Sequence, residues 1–181
     1  MKFVISSSIL SQRLQTLGRV IPSKNSMPIL DNFLFQVVDG KLTLTASDNE
    51  ITLRTTLELV ESDGNLSFAV NAKTLQDAMK EIPEQPLEFT VNPDGLEIRV
   101  DFQNGHYTLV GQNADEYPVT KGLEGKMSTL VVDAQRLHSS VSRALFAAAD
   151  DPLRPVMNGV FFDYQSNGLA IVASDGRKLA C

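Results

Sequence analysis

Apolar residues along the chain recur at two different spacings. Leu10, Leu14, Leu17 and Ile21 follow a helical interval with polar residues between them. Ser6 stands at the N-cap position, so the pattern predicts a helix over 7–20 that stops before Pro22. Leu75, Ala78, Met79 and Ile82 behind Asn71 predict a helix over 72–82. Leu137, Val141, Ala144, Leu145 and Ala148 behind Asp133 predict a third over 134–149. Strand-like stretches fill the intervals: 2–5, 32–38, 41–47, 50–59, 65–70, 87–91, 96–102, 106–110, 130–132, 158–164 and 169–174. Asp39-Gly40, Asn104-Gly105 and Asn167-Gly168 are turn signals, and the first of them predicts a tight two-residue hairpin. The class is α+β, with antiparallel sheets carrying helices on one face.

The pattern repeats. At a constant offset of 127 residues Pro28 meets Pro155, Phe35 meets Phe162 and Leu42 meets Leu169. Ala46-Ser47-Asp48 meets Ala173-Ser174-Asp175, and apolar positions agree between these identities. The same offset aligns Val4 with Val131, Leu10 with Leu137 and Leu14 with Val141. A period of that length is a domain, not a solenoid repeat. A fainter period of 65 aligns Ile5 with Val70, Ser6 with Asn71, Leu10 with Leu75 and Leu14 with Met79. One domain is therefore expected to be two copies of a strand–helix–antiparallel-strands unit. The expected division is residues 1–125 for a complete first domain and 126–181 for the first half of a second. The linker is placed over 117–127, which contains Pro118, Gly122 and Gly125.

Composition adds limits. A single cysteine, Cys181, excludes an internal disulfide framework and fits a reducing cytoplasm. The opening MKFVISSSIL is too polar for a signal peptide, and no apolar run reaches membrane-span length. A net charge of −6 argues against a uniformly basic nucleic-acid binder. Its distribution says more. The polar side of the first helix carries Arg13 and Arg19 without an acid, and that of the third carries Arg136 and Arg143 likewise. Lys73 and Lys80 on the second are balanced by Asp77 and Glu81, and Lys24 is a lone cation in the polar loop 22–26. Catalytic signatures are missing. There is no Gly-rich phosphate loop and no GxSxG, and His106 and His138 lack partners at metal-ligand spacing. Asp150-Asp151 reads as a solvated loop after a helix. Asp175-Gly176-Arg177-Lys178 reads either as a charged turn or as an anion-holding one.

Several residues together resemble the bacterial sliding-clamp family, the beta subunit of DNA polymerase III. They are the opening Met1-Lys2-Phe3, the run Pro28-Ile29-Leu30-Asp31-Asn32, Asp115 with Tyr117-Pro118, and Asn158-Gly159 before Val160-Phe161-Phe162. The run Ala173–Cys181 is similar to a family signature Thr-Asp-Gly-His-Arg-Leu, with Ser174, Arg177 and Lys178 in place of its Thr, His and Arg. The resemblance implies a three-domain protomer of the DNA clamp fold, with helices on one face of curved antiparallel sheets. Two protomers would form a head-to-tail ring around duplex DNA, without cofactor, metal or catalytic residue. It implies DNA contact by Lys24 and a channel lined by helices that bear Arg13, Arg19, Arg136 and Arg143. A peptide pocket would use Arg154, Met157, Ser174, Gly176, Arg177, Lys178 and Leu179. A dimer edge would run along 106–110, with His106, Tyr107 and Leu109. The implied partners are the polymerase III catalytic subunit, the clamp loader and other clamp-binding-motif proteins, with no membrane. Two alternatives stand beside this: a peptide-binding module that never encircles DNA, and an enzyme acting on a phosphate substrate through Asp175.

Overall fold

The computed structural model describes residues 1–22, 27–48, 50–118, 129–166 and 168–181. Lys24 lies outside them, as does most of the expected linker. The chain divides into two compact units, Met1–Gly122 and Leu123–Cys181.

The first unit opens with β1 (Lys2–Ser6) and α1 (Ser7–Leu17), followed by a 3-10 turn at Pro28–Asp31. Then come β2 (Asn32–Val38), β3 (Lys41–Ser47), β4 (Thr52–Glu58) and β5 (Glu61–Ser62). The order then recurs as β6 (Leu66–Asn71), α2 (Ala72–Lys80), β7 (Pro86–Val91), β8 (Glu97–Phe102), β9 (Gly105–Val110) and β10 (Gln112–Asn113). Two antiparallel sheets result, ordered β5-β1-β7-β8-β9 and β10-β6-β2-β3-β4. Each sheet takes the first and last strands of one half and the three middle strands of the other. The halves are interlocked: β1 pairs with β7, and β2 with β6.

The core lies between the sheets and under the helices. Phe3 stacks on Phe89 at 4.7 Å and Phe35 on Phe68 at 5.1 Å, and Phe35 meets Phe89 at 6.4 Å to join the two sheets. Leu10, Leu14 and Leu17 from α1 and Leu75 and Met79 from α2 are buried against them. Gln76 Nε2 donates to the Leu14 carbonyl at 2.9 Å and ties the helices together. The β2–β3 hairpin turns through Asp39 (φ 49°) and Gly40 (φ 75°), the left-handed pair that a tight hairpin requires.

Several boundaries differ from the sequence expectation. Helix α1 stops at Leu17 rather than Val20, because after the Gly18 N–H bond to the Leu14 carbonyl the bonds span only three residues, Arg19 to Thr16 and Val20 to Leu17. Arg19 therefore sits in the following turn, not on the helix. The Ser6 hydroxyl does not cap α1; it bonds the Ser8 hydroxyl at 2.9 Å. Strand β4 begins at Thr52 because the Glu50 and Ile51 N–H groups are held by the Asp48 carboxylate. Tyr117, read as the start of a linker, is buried in a small cluster with Ile29, Leu30 and Ala69. Burial pushes its hydroxyl pKa up to about 12.

The second unit contains α3 (Ala134–Leu145), a 3-10 turn at Pro155–Met157, β11 (Phe161–Gln165), β12 (Gly168–Ser174) and β13 (Leu179–Ala180). Asp133 caps α3 by accepting from the Arg136 N–H at 2.9 Å, as Asn71 caps α2 through Thr74 at 3.0 Å. Ala144, Ala147, Ile171 and Ala173 form its buried cluster. Helix, 3-10 turn and hairpin thus recur in the order of the first unit. The expected strand at 130–132 does not form. Its counterpart β1 is held by β5 and β7, and positions 127 residues beyond those strands exceed 181. Leu145, expected inward, is 56 % exposed, since α3 ends there and the chain turns on through Phe146.

Candidate functional site

All seven residues expected to form a peptide pocket fall in the second unit. Its centre is the turn between β12 and β13. The Asp175 carboxylate accepts from the backbone N–H groups of Arg177 at 2.8 Å and Lys178 at 2.7 Å. These bonds, Lys178 N–H first, hold its pKa down to about 2. The Ser174 hydroxyl donates to the Lys178 carbonyl at 2.8 Å and accepts from the Gly176 N–H at 3.1 Å. Gly176 is left-handed at φ 86°, and a Cβ there would stand 3.3 Å from Arg154 Nη1. Glycine therefore meets two demands, the backbone angle and the guanidinium lying against it.

The other wall comes from the 3-10 turn. Arg154 Nε donates to Asp151 at 2.8 Å, which lowers the Asp151 pKa, and its Nη1 reaches the Met157 sulfur at 3.7 Å. Pro155 starts that turn, and Ala149 N–H donates to the Met157 carbonyl at 2.9 Å, so Met157 is pinned beside the end of α3. Met157 is half-buried, whereas Leu179 is 68 % exposed. Lys178 is not a free donor. Its ammonium pairs with Asp175 at 3.1 Å, donates to the Phe146 carbonyl at 3.0 Å and lies 6.0 Å from the Phe146 ring centre. Among the described residues Arg177 makes no ion pair, so it is the uncommitted cation of the turn. Sequence reasoning missed Phe146 and Asp151, which position Lys178 and Arg154. Their only signal was proximity to Pro152 at the end of a helical pattern.

Four of the five cations expected to face DNA are solvent-exposed, and the fifth, Lys24, lies outside the described residues. Arg13 lies on α1, and Arg136 and Arg143 on α3, away from each buried stripe; Arg19 lies in the turn after α1. None of the four makes an ion pair among the described residues. The edge expected for dimer contact is β9, an outermost strand. Tyr107 stacks on Phe102 at 5.3 Å and Leu109 packs on the unit's own core, while His106 and Thr108 are exposed and Val110 is 77 % exposed. Val110, which the sequence reading left out, is the most exposed apolar residue of this edge.

The family model for the N-terminal domain of the DNA polymerase III beta subunit matches residues 1–121. The chain belongs to the DNA polymerase III beta subunit family. Among sliding-clamp relatives, the beta sliding clamp of Haemophilus influenzae is 29 % identical over 180 residues, covering 99 % of this chain and 49 % of the relative. That of Synechocystis is 28 % identical over 188 residues, covering 99 % and 47 %. The solved beta subunit from Pseudomonas aeruginosa has a TM-score of 0.89 at 26 % identity, over 99 % of this chain and 48 % of that one. The Thermotoga maritima beta subunit has a TM-score of 0.83 at 29 % identity, over 97 % and 47 %. The chain spans about half the length of the sliding clamps it matches. Among the described residues no helix is long and apolar enough to cross a membrane.

Proposed function

We propose that the chain is the N-terminal part of a sliding clamp, a non-catalytic, cofactor-free processivity factor of the cytoplasm. In this reading residues 1–125 are a whole clamp domain and 126–181 begin a second. Two longer protomers encircle duplex DNA and tether the replicative polymerase. The observation that carries it is the acid-free cationic exposure of α1 and α3, at Arg13, Arg136 and Arg143, opposite the stripes that bury each helix. A ring that slides must attract phosphates without reading bases. A few exposed, uncommitted guanidinium groups do that, and tight base contacts would arrest it. Arg19 is a further exposed cation after α1, and Lys24 is assigned the same phosphate-contacting role. Tethering raises the local concentration of a polymerase at the template without improving its own DNA contacts.

Partners dock at the turn of the second unit. Met157 and Leu179 supply apolar contact, Arg177 the free donor, and Ser174, Gly176, Lys178 and Arg154 the frame. The partners are the polymerase III catalytic subunit, the clamp loader and other proteins bearing a clamp-binding motif. The protomers join head to tail along β9, through His106, Tyr107 and Leu109 with Val110 outermost. A 181-residue chain is expected to stay open, and a stable two-protomer ring with a central hole in sedimentation would contradict that.

The test is DNA association of the full-length protein across a salt series. Lys24→Ala, or Arg136→Ala, should each lower the slope of log affinity against log salt by about one, equally for any duplex sequence. Unchanged slopes in both variants would reduce these cations to ordinary surface residues and favour a peptide-binding module that never encircles DNA.

A further inference from the structure

The second unit leaves open apolar positions that the first unit buries. In the first unit each half lends its first strand to the second strand of the other half: β1 pairs with β7, and β6 with β2. Two matching phenylalanine pairs result. Phe3 stands opposite Phe89 and Phe68 opposite Phe35, and Phe35 meets Phe89 between them at 6.4 Å. This reciprocal pairing is that of an approximate two-fold axis beside Phe35 and Phe89.

The second unit carries one such half. At the 127-residue offset Leu130 and Val132 stand for Phe3 and Ile5, and Phe162 and Tyr164 for Phe35 and Val37. Phe35 and Val37 are fully buried, whereas Phe162 is 49 % and Tyr164 67 % exposed. Leu130 and Val132 are exposed as well. Strand β11 is outermost in its sheet, and its free edge is the one that β6 occupies on β2. A groove of about 410 Å³ is lined by Val132, Leu137, Leu169 and Ile171, and the last three stand where the first unit buries Leu10, Leu42 and Leu44. The segment 130–132 does not serve the β11 edge of its own chain, since the counterparts β1 and β2 lie in different sheets. A second half of the same kind fits the free edge and the free segment at once, and a second copy of the chain carries it.

We propose that the second unit of the 181-residue chain docks on that of a second copy about a two-fold axis. Residues 130–132 of each copy extend the β11 edge of the other, with Leu130 opposite Phe162 and Val132 opposite Val160, and the two Phe162 rings meet at the axis. The register is that of Phe68 with Phe35 and Val70 with Phe33 in the first unit. In β1 the Lys2 and Val4 carbonyls accept from Asp63 and Val60 beside β5, so Phe3 and Ile5 turn their backbone groups to β7. Leu130 and Val132 do the same toward the second copy. The pairing removes apolar surface from water on both chains and closes two open strand edges. It leaves β9 free and is not the head-to-tail ring.

The test is sedimentation velocity of the 181-residue chain over a concentration series, with amide hydrogen exchange at the two ends of the series. A monomer–dimer equilibrium in roughly the micromolar range is expected, stopping at two chains, and the Val132 amide should exchange more slowly as the dimer fills. Phe162→Asp places a charge at the axis and should weaken association about a hundredfold. Val132→Pro removes an N–H from a segment without secondary structure and should weaken it about tenfold. Val110→Asp, on β9, should leave it unchanged. Amide dispersion of α3 and β12 checks that each variant folds, and Val132→Pro decides if Phe162→Asp does not. A monomer at every concentration, association that continues past two chains, equal association in Val132→Pro, or a dimer lost in Val110→Asp and kept in Phe162→Asp would each overturn the assignment.

Discussion

The same Ser-Asp hydrogen-bonding pattern occurs twice in this molecule, once in each unit, with different residues around it. In the first unit the Ser47 hydroxyl donates to the Ile51 carbonyl at 3.1 Å, and the Asp48 carboxylate accepts from Glu50 and Ile51 at 2.9 and 2.6 Å. In the second unit Ser174 and Asp175 make the corresponding bonds to Lys178 and Arg177, at 2.7–2.8 Å. The identical Ser and Asp make the frame's side-chain bonds, and residues around them are replaced. Glu50 becomes Arg177, Ile51 becomes Lys178, and buried Leu30 becomes half-buried Met157. The identities that reveal the repeat therefore report folding, while the differences fall on residues of the proposed peptide site.

The largest effect separates the two cores. Leu44 and Ile171 occupy equivalent positions, one in a core spanning two sheets, the other in a cluster made mostly of alanines. Leu44→Ala should cost about 2–5 kcal/mol, and Ile171→Ala about 2 kcal/mol, at the low end because its small cluster relaxes more readily. Urea unfolding followed by amide signals of each unit reads both. Equal losses would mean that the second unit is packed as firmly as the first.

Next comes the Leu30–Met157 pair. Leu30→Ala should remove about 2–5 kcal/mol of stability. Met157→Ala should cost much less stability and instead remove about 1–3 kcal/mol of binding energy for a clamp-motif peptide in the full-length protein. Calorimetric titration decides; unchanged peptide affinity would return Met157 to a packing role.

The acid range sharpens the comparison further. Asp175 has a pKa of about 2 in the folded protein against an ordinary value of 3.8. Asp48 is lowered too, first by its bond from the Ile51 N–H. A carboxylate depressed on folding stabilises above its unfolded pKa, and that contribution fades as pH falls through the folded value. The Asp175 turn should thus keep its full contribution above 3.8 and lose it toward about 2. The Lys178 amide shift followed against pH reports the midpoint, and a midpoint at or above 3.8 would show that these bonds do not favour the ionised form.

Much of this was legible because periodicity and cap residues act locally. Asn71 and Asp133 mark helix starts that the structure confirms bond by bond. The β2 and β3 limits follow from Asp39-Gly40, whose backbone angles leave little choice of register. What was illegible depends on distant partners. The strand at 130–132 has the right residues, yet β1 exists only because β5 and β7 flank it. Ser6 looks like a cap, but its hydroxyl bonds Ser8. Tyr107 and Leu109 alternate correctly for a strand, but alternation does not say which face the core occupies. At the turn, Ser174, Asp175 and Gly176 could be read from sequence, whereas the engagement of Lys178 by Phe146 could not.

The smallest expected effect is the most discriminating. Lys178 gives the turn two things: a backbone N–H to Asp175, which any residue supplies, and an ammonium shared between Asp175 and Phe146. The side chain is half exposed, so solvent competes for both of its contacts. Ile51 holds the equivalent place in the first unit, where the same backbone bonds form without any ammonium. Lys178→Ile should then change stability by no more than about 0.5 kcal/mol, as for an ordinary surface substitution. The Arg177 and Lys178-position amides should keep their shifts, because their bonds to Asp175 do not depend on the side chain. Peptide affinity in the full-length protein should fall with the altered rim. A loss of stability well beyond that range would mean that the ammonium, not the Ser-Asp backbone frame, holds the second turn. The two turns would then be alike in outline but not in cause.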